Sequence, residues 1–340
     1  MCVFLLVVSE GRRPRKSLSK NGKRRKHKWS TPRPQTPFAF TTSEYMYVRP
    51  GGLKIVDTGV DKYALNTQLV AKVEASVWSA FSLEEPSLHV AIKFIHDCQN
   101  RATIRSEFET AKSVGEFGFP FLKVFWISPK ISFSSCQFCN FAYQANACAG
   151  RHVQIMVQQL AVGSDEHTSV LNRGIGGLDL VEKLHATGIV HGDLHWGNLV
   201  GFGNGWTLID FGAAGPPNDW NGPYVAPEYS TIWQLEKTSR TFRDDIYRFL
   251  EEMAKILCGE TLHAKYRDVT KKAAKRVAVL KIKLSLNFFK ADSCPIWVHK
   301  LAHVWEYIVL LNEHAVIDYA WIRTQLKLVD DSLTPKGCLA

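Results

Sequence analysis

Short apolar runs separated by turn-forming residues characterise the chain between residues 46 and 160. The segments Leu69–Phe81 and Leu88–Ile95 are rich in Val, Ile, Phe and Ala, and the turn-forming sequence SLEEPS lies between them. Each segment has the composition and length of a strand. The segments 121–127 and 152–160 are predicted as two further strands. This half of the chain is therefore predicted to be β-rich.

Helical periodicity appears at two places in the sequence. From about residue 101 to 114 the apolar side chains fall on one stripe of a helix, with Glu107 beside that stripe and Glu109 pointing away from it. From about residue 168 the pattern is helical. In one of these later helices a single face is predicted to carry Ile246, Phe249, Leu250, Met253, Ile256 and Leu257. A β-rich first half followed by a helical second half predicts a two-lobed α+β protein.

Candidate chemistry is concentrated in VHGDLHWGNLV, residues 190–200. Asp193 lies five residues before Asn198, and Asp210 follows a segment that is predicted to form a β-hairpin. Because a hairpin brings its ends together, Asn198 and Asp210 are predicted to be neighbours. An amide oxygen and a carboxylate are ligands of the kind that hold Mg²⁺ on a nucleotide. Asp193 could orient an attacking hydroxyl and accept its proton, which completes the groups needed for phosphoryl transfer.

The sequence H-x-D-x4-N, followed by a hairpin and D-F-G, resembles the protein kinase superfamily, whose motifs are H-R-D-x-K-x-x-N and D-F-G. The resemblance covers roughly residues 60–325. It implies a two-lobed α+β fold that binds ATP in the cleft between the lobes. It also implies that Asp193 and His195 are catalytic and that Asn198 and Asp210 bind Mg²⁺.

The same resemblance implies a set of nucleotide-binding residues. The sequence VAIKFI is similar to the strand that carries the ATP-binding lysine, so Lys93 is expected to bind the α- and β-phosphates. Glu107 is expected to be its ion-pair partner. Further contacts with ATP are expected from Val77, Val157 and Leu160.

Three further segments indicate which protein kinases the chain resembles. YVAPEY, residues 224–229, is similar to the end of a kinase activation segment. SRTFRDDIYRFL, residues 239–250, resembles a segment of casein kinase 1 and the vaccinia-related kinases, and its Asp245 matches the buried aspartate that opens a long helix. VIDYAWIRTQL, residues 316–326, is similar to a segment near the end of their domain. The resemblance implies transfer of the γ-phosphoryl group of ATP to Ser or Thr of protein substrates.

Departures from the family pattern leave alternatives open. The glycines of the phosphate-binding loop are replaced by Val70, Lys72 and Ala75, and a backbone without glycine approaches phosphates less easily. A pseudokinase that acts as a binding module is therefore one alternative. The lysine expected two residues after Asp193 is His195, whose charge depends on pH. The sequence H-G-D-L-H-x-G-N also resembles small-molecule phosphotransferases of the aminoglycoside and choline kinase type.

The sequence lacks the usual phosphorylation switch of kinases. The segment from Asp210 to Glu228 contains no Ser or Thr, and its only hydroxyl is that of Tyr224. The arginine of H-R-D, which pairs with the loop phosphate in kinases switched in this way, is replaced by Gly192. Activity is therefore predicted not to require phosphorylation of this segment.

The net charge of +10 is concentrated at the start of the chain. Residues 1–45 contain eleven Lys or Arg and two Glu, whereas the rest of the chain is nearly neutral. This tail has too few apolar residues to form a core and is predicted to be disordered. Its cluster KRRKHK, residues 23–28, could be a nuclear address, a contact with nucleic acid or an anionic surface, or a solvated segment without a partner.

The predicted organisation is a disordered tail at 1–45, an N-lobe at 46–162, a C-lobe at 163–330 and a short tail at 331–340. A cysteine-containing insertion is predicted at 128–151. No apolar run has the roughly 20 residues of a transmembrane helix, and no convincing signal peptide begins the chain. An intracellular protein, nuclear or cytoplasmic, with no transmembrane segment is therefore expected.

The eight cysteines are expected to be free thiols in a reducing compartment. Cys136, Cys139, Cys148 and His152 are of the residue types that bind structural Zn²⁺. Their spacing, C-x2-C-x8-C-x3-H, matches no site known to us, so these residues are expected to hold no metal. Zinc binding is the alternative.

Overall fold

A computed structural model shows a mixed α+β protein in which a curled antiparallel sheet is followed by helices. The described residues are 46–48, 52–71, 75–97, 104–120, 122–128, 131–132, 152–161, 169–202, 205–218, 230–236, 240–259, 272–285, 288–290, 292 and 294–331. Their buried apolar side chains form two clusters, one within the sheet and one mainly among the helices. The predicted α+β class is confirmed.

The strands are β1 (Met46–Val48), β2 (Lys54–Asp57), β3 (Lys62–Ala71), β4 (Ala75–Ser82), β5 (His89–Asp97), β6 (Val124–Ile127), β7 (Ile131–Ser132), β8 (His152–Gln159), β9 (Leu199–Phe202) and β10 (Gly205–Leu208). The main sheet has the order β1-β2-β3-β4-β5-β8-β6, and β7 also pairs with β8. β9 and β10 form a separate antiparallel pair, which confirms the predicted hairpin between Asn198 and Asp210.

The prediction of a single strand at Leu69–Phe81 is wrong. This run contains the end of β3 and most of β4, which pair in antiparallel fashion with Val70 opposite Val77. Apolar residues continue through the run without Gly or Pro, so the pattern carries no turn signal. The prediction at Leu88–Ile95 is confirmed by β5.

Alternation along β5 separates the two faces of the sheet. Val90, Ile92 and Phe94 are buried in the hydrophobic cluster of the sheet, whereas Lys93 lies on the other face. Directly opposed residues of neighbouring strands share a face, so Met156 of β8 lies on the face of Lys93. This second face carries the candidate site.

The helices are α1 (Ile104–Glu116), α2 (Val170–Ala186), α3 (Ile232–Glu236), α4 (Phe242–Cys258), α5 (Lys272–Ser285), α6 (Ala302–Leu310) and α7 (Tyr319–Asp331). Short 3₁₀ helices cover Trp196–Asn198, Phe211–Ala213, Phe288–Lys290 and Ile296–Leu301. The predicted first helix is confirmed as α1, with Glu107 buried and Glu109 exposed. Within the described residues, none of these helices is both long and apolar enough to span a bilayer.

Helix α4 is the central helix of the helical core. Thr241 and Asp244 form a capping box at its start, which satisfies backbone groups that would otherwise be unpaired. Ile246 and Met253 are fully buried, whereas Ile256 is 41% exposed. The predicted place of Ile256 on the buried face is therefore wrong, because its position on the helical wheel is at the edge of that face.

Two cysteines form a disulfide. Cys258, at the end of α4, is bonded to Cys294, so the expectation of free thiols is wrong for this pair. The two residues are 36 positions apart in the sequence. Their approach depends on how the end of α4 packs, which the sequence pattern does not indicate.

Candidate active site

A buried lysine on the sheet joins two carboxylates from different elements. Nζ of Lys93, on β5, lies 2.9 and 2.8 Å from the two carboxylate oxygens of Glu107, on α1. The same Nζ lies 2.8 Å from Oδ1 of Asp210, which follows β10. Lys93 therefore connects the sheet, α1 and the segment after the hairpin.

The charge of Lys93 is fixed by these carboxylates. Burial alone would lower the pKa of Lys93, but Glu107 and Asp210 raise it above its ordinary value. The side chains of Lys93 and Glu107 are 11% and 7% exposed, whereas that of Asp210 is 39% exposed. The Lys93–Glu107 pair is thus buried, and Asp210 is the member that a ligand can reach.

Asp210 has a backbone conformation that few residues other than glycine adopt. Its φ is 65°, in the left-handed region, which costs about 1 kcal/mol or more in a residue with a side chain. The contact with Lys93 helps to hold this conformation. The next residue, Phe211, is buried against the rings of Phe119 and His191. Asp210 is therefore presented to the site while Phe211 packs in the core.

The hairpin brings Asn198 next to Asp210, as its sequence predicts. The backbone oxygen of Asn198 accepts a hydrogen bond from the N–H of Ile209 at 2.9 Å. Asn198 is buried, and its Nδ2 donates to the backbone oxygen of Asp193 at 2.9 Å. Oδ1 of Asn198 is therefore the atom that could ligate a cation beside the Asp210 carboxylate. This pair fits Mg²⁺, which takes one or two protein oxygens and completes its shell with water and phosphate oxygens.

The loop that carries Asp193 is held by the buried carboxylate of Asp245, on α4. That carboxylate accepts the backbone N–H groups of His191 and Gly192 at 2.6 and 2.9 Å. It also accepts a hydrogen bond from Nε2 of His185 at 2.9 Å. Burial alone would raise the pKa of Asp245, but the bond from His185 and the other donors lower it. The partly exposed carboxylate of Asp193 thus lies on a loop with an ionised, buried support.

Arg173, on α2, was not predicted from the sequence as a site residue. Its guanidinium lies between the rings of Trp196 and Trp206, at 4.9 and 5.0 Å from their centroids. Its Nη2 donates to the backbone oxygen of Trp196 at 2.9 Å and to that of Leu199. These two carbonyls flank Asn198, so Arg173 fixes the backbone on both sides of the predicted metal ligand. In the sequence, only the two tryptophans near the hairpin indicated that an arginine could pack there.

His195, at the position of the family lysine, is used in local structure. Its Nδ1 accepts a hydrogen bond from the backbone N–H of Gly197 at 3.0 Å. A nitrogen that accepts is unprotonated, so the neutral ring carries its proton on Nε2. In the neutral ring, Nε2 is therefore the N–H donor of His195.

The predicted nucleotide contacts lie on different faces of the sheet. Val77 lies opposite Lys93 in the β4–β5 register and shares its face. Val157 is fully buried beside Ile92 in the hydrophobic cluster of the sheet, so its side chain lies on the face away from the site. This corrects the predicted contact of the Val157 side chain. Leu160 follows the end of β8 and is half-buried.

A small cavity of about 20 Å³ lies beside the ion pair, and Glu107, Asp210 and Gln158 are among the residues that line it. It has room for about one water molecule. Gln158 was not predicted from the sequence as a site residue. Gln158 lies two residues after Met156 and therefore on the same face of the sheet as Lys93. Because Met156 on that face is apolar and residues 153–157 are all buried, the sequence pattern gave no signal for Gln158.

The β3–β4 pair lies where the sequence predicts a phosphate-binding loop. Val70 is opposite Val77, which puts it on the face of Lys93, and Val70 is 38% exposed. Ala75 begins β4, and Lys72 lies outside the described residues. An isopropyl group therefore projects on the site face where the family has a glycine.

Several predicted features lie outside the described residues. They are the tail at 1–45, most of the insertion at 128–151 with Cys136, Cys139 and Cys148, the end of the activation segment at 224–229, and nearly all of the short tail at 331–340. His152, the fourth candidate zinc ligand, begins β8. In the part of the chain that the structure describes, no group of three or more His, Cys, Asp or Glu could hold a metal ion. The pair predicted to bind Mg²⁺ consists of Asn198 and Asp210. It contains one amide and one carboxylate and is therefore smaller than such a group.

Comparison with known proteins gives no family for this chain. No protein-family model matches the sequence, and no curated protein matches it significantly. The function is therefore inferred from the geometry of the site.

Proposed function

We propose that this protein is a Mg²⁺-dependent phosphotransferase with the two-lobed fold of protein kinases, and that it transfers the γ-phosphoryl group of ATP to Ser or Thr of a protein substrate. One observation carries the proposal. Lys93 joins Glu107 to Asp210, while the hairpin sets Asn198 between Asp210 and the Asp193 loop. These are the groups that phosphoryl transfer requires.

Lys93 and Glu107 would bind the nucleotide. Lys93 is buried, and its two carboxylate partners raise the pKa of its ammonium group, so the charged group can attract the α- and β-phosphates. Glu107 keeps it in place through two short contacts. In this arrangement Lys93 also contacts Asp210, and phosphate oxygens would replace part of that contact.

Asp210 and Asn198 would hold Mg²⁺, which neutralises charge on the phosphates when it is bound. Asp193 would orient the hydroxyl of the substrate and accept its proton. The hydroxyl oxygen forms a bond with the γ-phosphorus, the bond from that phosphorus to the bridging oxygen breaks, and ADP leaves. Nε2–H of His195 is the donor that would take the role of the family lysine toward a phosphate oxygen.

One observation favours a second candidate function. Small-molecule phosphotransferases of the aminoglycoside and choline kinase type often carry histidine at the position of His195, and they share the H-G-D sequence. A small alcohol or aminoglycoside would then be the acceptor, with the same roles for Asp193, Asn198 and Asp210.

Transfer of labelled phosphate from ATP tests the proposal. The assay uses the full chain with a mixed Ser/Thr peptide library, and separately with choline and an aminoglycoside. Asp193→Asn is expected to lower turnover by about a hundredfold or more while ATP binding is kept. Asp292→Asn, at an exposed carboxylate, is the matched control and should be unchanged. Transfer only to a small acceptor would favour the second candidate, and no transfer by the wild type would refute both.

A further inference from the structure

A buried arginine lies between the Asp193 loop and the segment after Asp210. Arg240 is 6% exposed, and its Nη1 donates to the backbone oxygen of Ala213. The backbone oxygen of Arg240 accepts the N–H of Asn218 at 2.8 Å. One residue, just before α4, therefore contacts the segment after Asp210 at two places.

The Asp193 loop leaves room for this arginine because it has glycine at residue 192. Gly192 has a φ of +78°, and a Cβ there would lie 2.6 Å from the oxygen of Ala213 and 2.6 Å from Nη1 of Arg240. Gly215 is similarly close, since its Cβ would lie 2.9 Å from Nη2 of Arg240. The guanidinium thus fills a space bounded by the backbones of both segments.

The two segments are also joined by a backbone bridge. The N–H of Val190 donates to the oxygen of Gly215 at 2.8 Å, and the N–H of Gly215 donates to the oxygen of Val190 at 3.0 Å. Arg240 packs against this bridge on the side of Gly192 and Ala213. Its contacts therefore support a defined piece of backbone pairing, and the stability of that pairing can be measured.

We propose that Arg240 is a positioning residue that holds the segment after Asp210 against the Asp193 loop without a phosphate. Its contribution to activity rests on the proposed function. In kinases switched by phosphorylation, an arginine on the catalytic loop pairs with a phosphate on the activation segment. Here the guanidinium of Arg240 donates directly to the backbone of the segment. The loop has Gly192 at the position of the kinase arginine, and a larger residue there would collide with Arg240.

The hydrogen bond from Arg240 to the backbone oxygen of Ala213 is expected to stabilise this segment strongly. A charged donor forms a stronger hydrogen bond than a neutral one, and an acceptor left without its donor in a buried site is costly. Nη1 of the buried Arg240 donates to the backbone oxygen of Ala213, so loss of the guanidinium should loosen the segment locally.

Hydrogen exchange on the full chain tests the proposal without any assay of activity. In Arg240→Met, the amides of Val190 and Gly215 are expected to exchange about tenfold faster than in the wild type. Arg240→Lys keeps the charge and should restore part of the protection. Arg276→Met is the matched control, because Arg276 also donates to backbone carbonyls, those of Gln234 and Leu235. It should leave the Val190 and Gly215 amides unchanged.

A second variant reaches the same contact from the other side. Gly192→Ala places a Cβ against Arg240 and Ala213 and is expected to raise exchange at Val190 and Gly215 as Arg240→Met does. The proposal is overturned if these amides keep wild-type protection in Arg240→Met, or if exchange rises equally throughout the helices. The second result would mean that Arg240 only stabilises the fold.

Steady-state kinetics separate this role from the proposed function. If the wild type transfers phosphate, Arg240→Met is expected to lower kcat about tenfold, with the KM for ATP within about twofold of the wild type, because the residue orders a segment and touches no nucleotide. A change confined to KM contradicts the positioning role. If the wild type transfers no phosphate, the proposed function fails, and the exchange result alone decides the role of Arg240.

Discussion

Replacement of Glu107 by glutamine removes one charge from the buried ion pair and keeps the shape of the side chain. Lys93 would keep a neutral acceptor at residue 107 and its contact with Asp210. The contact with Asp210 is worth less than that with Glu107, because the Asp210 side chain is 39% exposed and water screens its charge. Lys93 would therefore be a buried cation whose charge is only partly balanced by the carboxylate of Asp210.

The size of the effect follows from burial. Removal of one partner from a buried ion pair costs about 3–5 kcal/mol. Because Gln still accepts a hydrogen bond and Asp210 remains, we expect a loss of about 2–3 kcal/mol in the free energy of unfolding. Glu109→Gln is the matched control, since Glu109 lies on the same helix and is exposed. Its effect should be within about 0.5 kcal/mol.

Urea unfolding of both variants measures this difference. The pair Lys93→Met and Glu107→Gln completes a double-mutant cycle, in which the double variant should be more stable than the sum of the single losses by about 1–3 kcal/mol. A second effect is expected on metal use. Without the Glu107 charge, Lys93 should hold Asp210 more tightly, so more Mg²⁺ should be needed for ATP binding. Equal stability of Glu107→Gln and Glu109→Gln would show that the Lys93–Glu107 ion pair does not stabilise the folded chain.

Three other predictions concern the surroundings of the site. Burial raises the pKa of Asp244 to about 6. Between about pH 4 and 6 the carboxyl group is therefore protonated in the folded chain and ionised in the unfolded chain. This difference stabilises the folded chain at low pH, and the stabilisation is lost as the pH rises through 6. The stability of wild type relative to Asp244→Asn should therefore be greater at pH 5 than at pH 7 by about 1 kcal/mol in urea unfolding; an equal difference at both pH values would contradict this. Arg173→Met should lower the free energy of unfolding by about 2–3 kcal/mol, since two backbone carbonyls lose a charged donor and two indoles lose a cation; a loss under about 0.5 kcal/mol would show that these contacts do not stabilise the chain. Phosphatase treatment of protein from a kinase-poor host should leave activity unchanged, and loss of activity with removal of a phosphate from Tyr224 would refute this independence.

The sequence predicts the site best where regular elements fix the geometry. Asn198 and Asp210 lie at the two ends of a hairpin, so their proximity follows from its pairing. Glu107 lies beside the apolar stripe of α1, and that position turns it toward the sheet. The role of Lys93 came from its resemblance to a kinase strand, and the structure places it within reach of both carboxylates.

Features that depend on tertiary placement were not predictable. Residues 153–157 of β8 are all buried, so the sequence pattern does not separate the face that carries Val157 from the face that carries Met156. Arg173 and Arg240 act through backbone carbonyls that are distant in sequence, and no residue pattern identifies such partners. The disulfide of Cys258 depends likewise on packing at the end of α4.

Calorimetric titration of the wild-type chain with ATP shows directly whether Lys93, Asn198 and Asp210 form a nucleotide site. At millimolar Mg²⁺, ATP is expected to bind with modest affinity, since Val70 projects on the site face where glycine would allow closer approach. Binding should weaken about tenfold or more when Mg²⁺ is removed with EDTA or when Asp210→Asn removes the charged ligand, while Asp292→Asn should bind as the wild type does. The account is contradicted if no heat of binding appears at millimolar Mg²⁺–ATP, or if ATP binds equally well with EDTA and in Asp210→Asn.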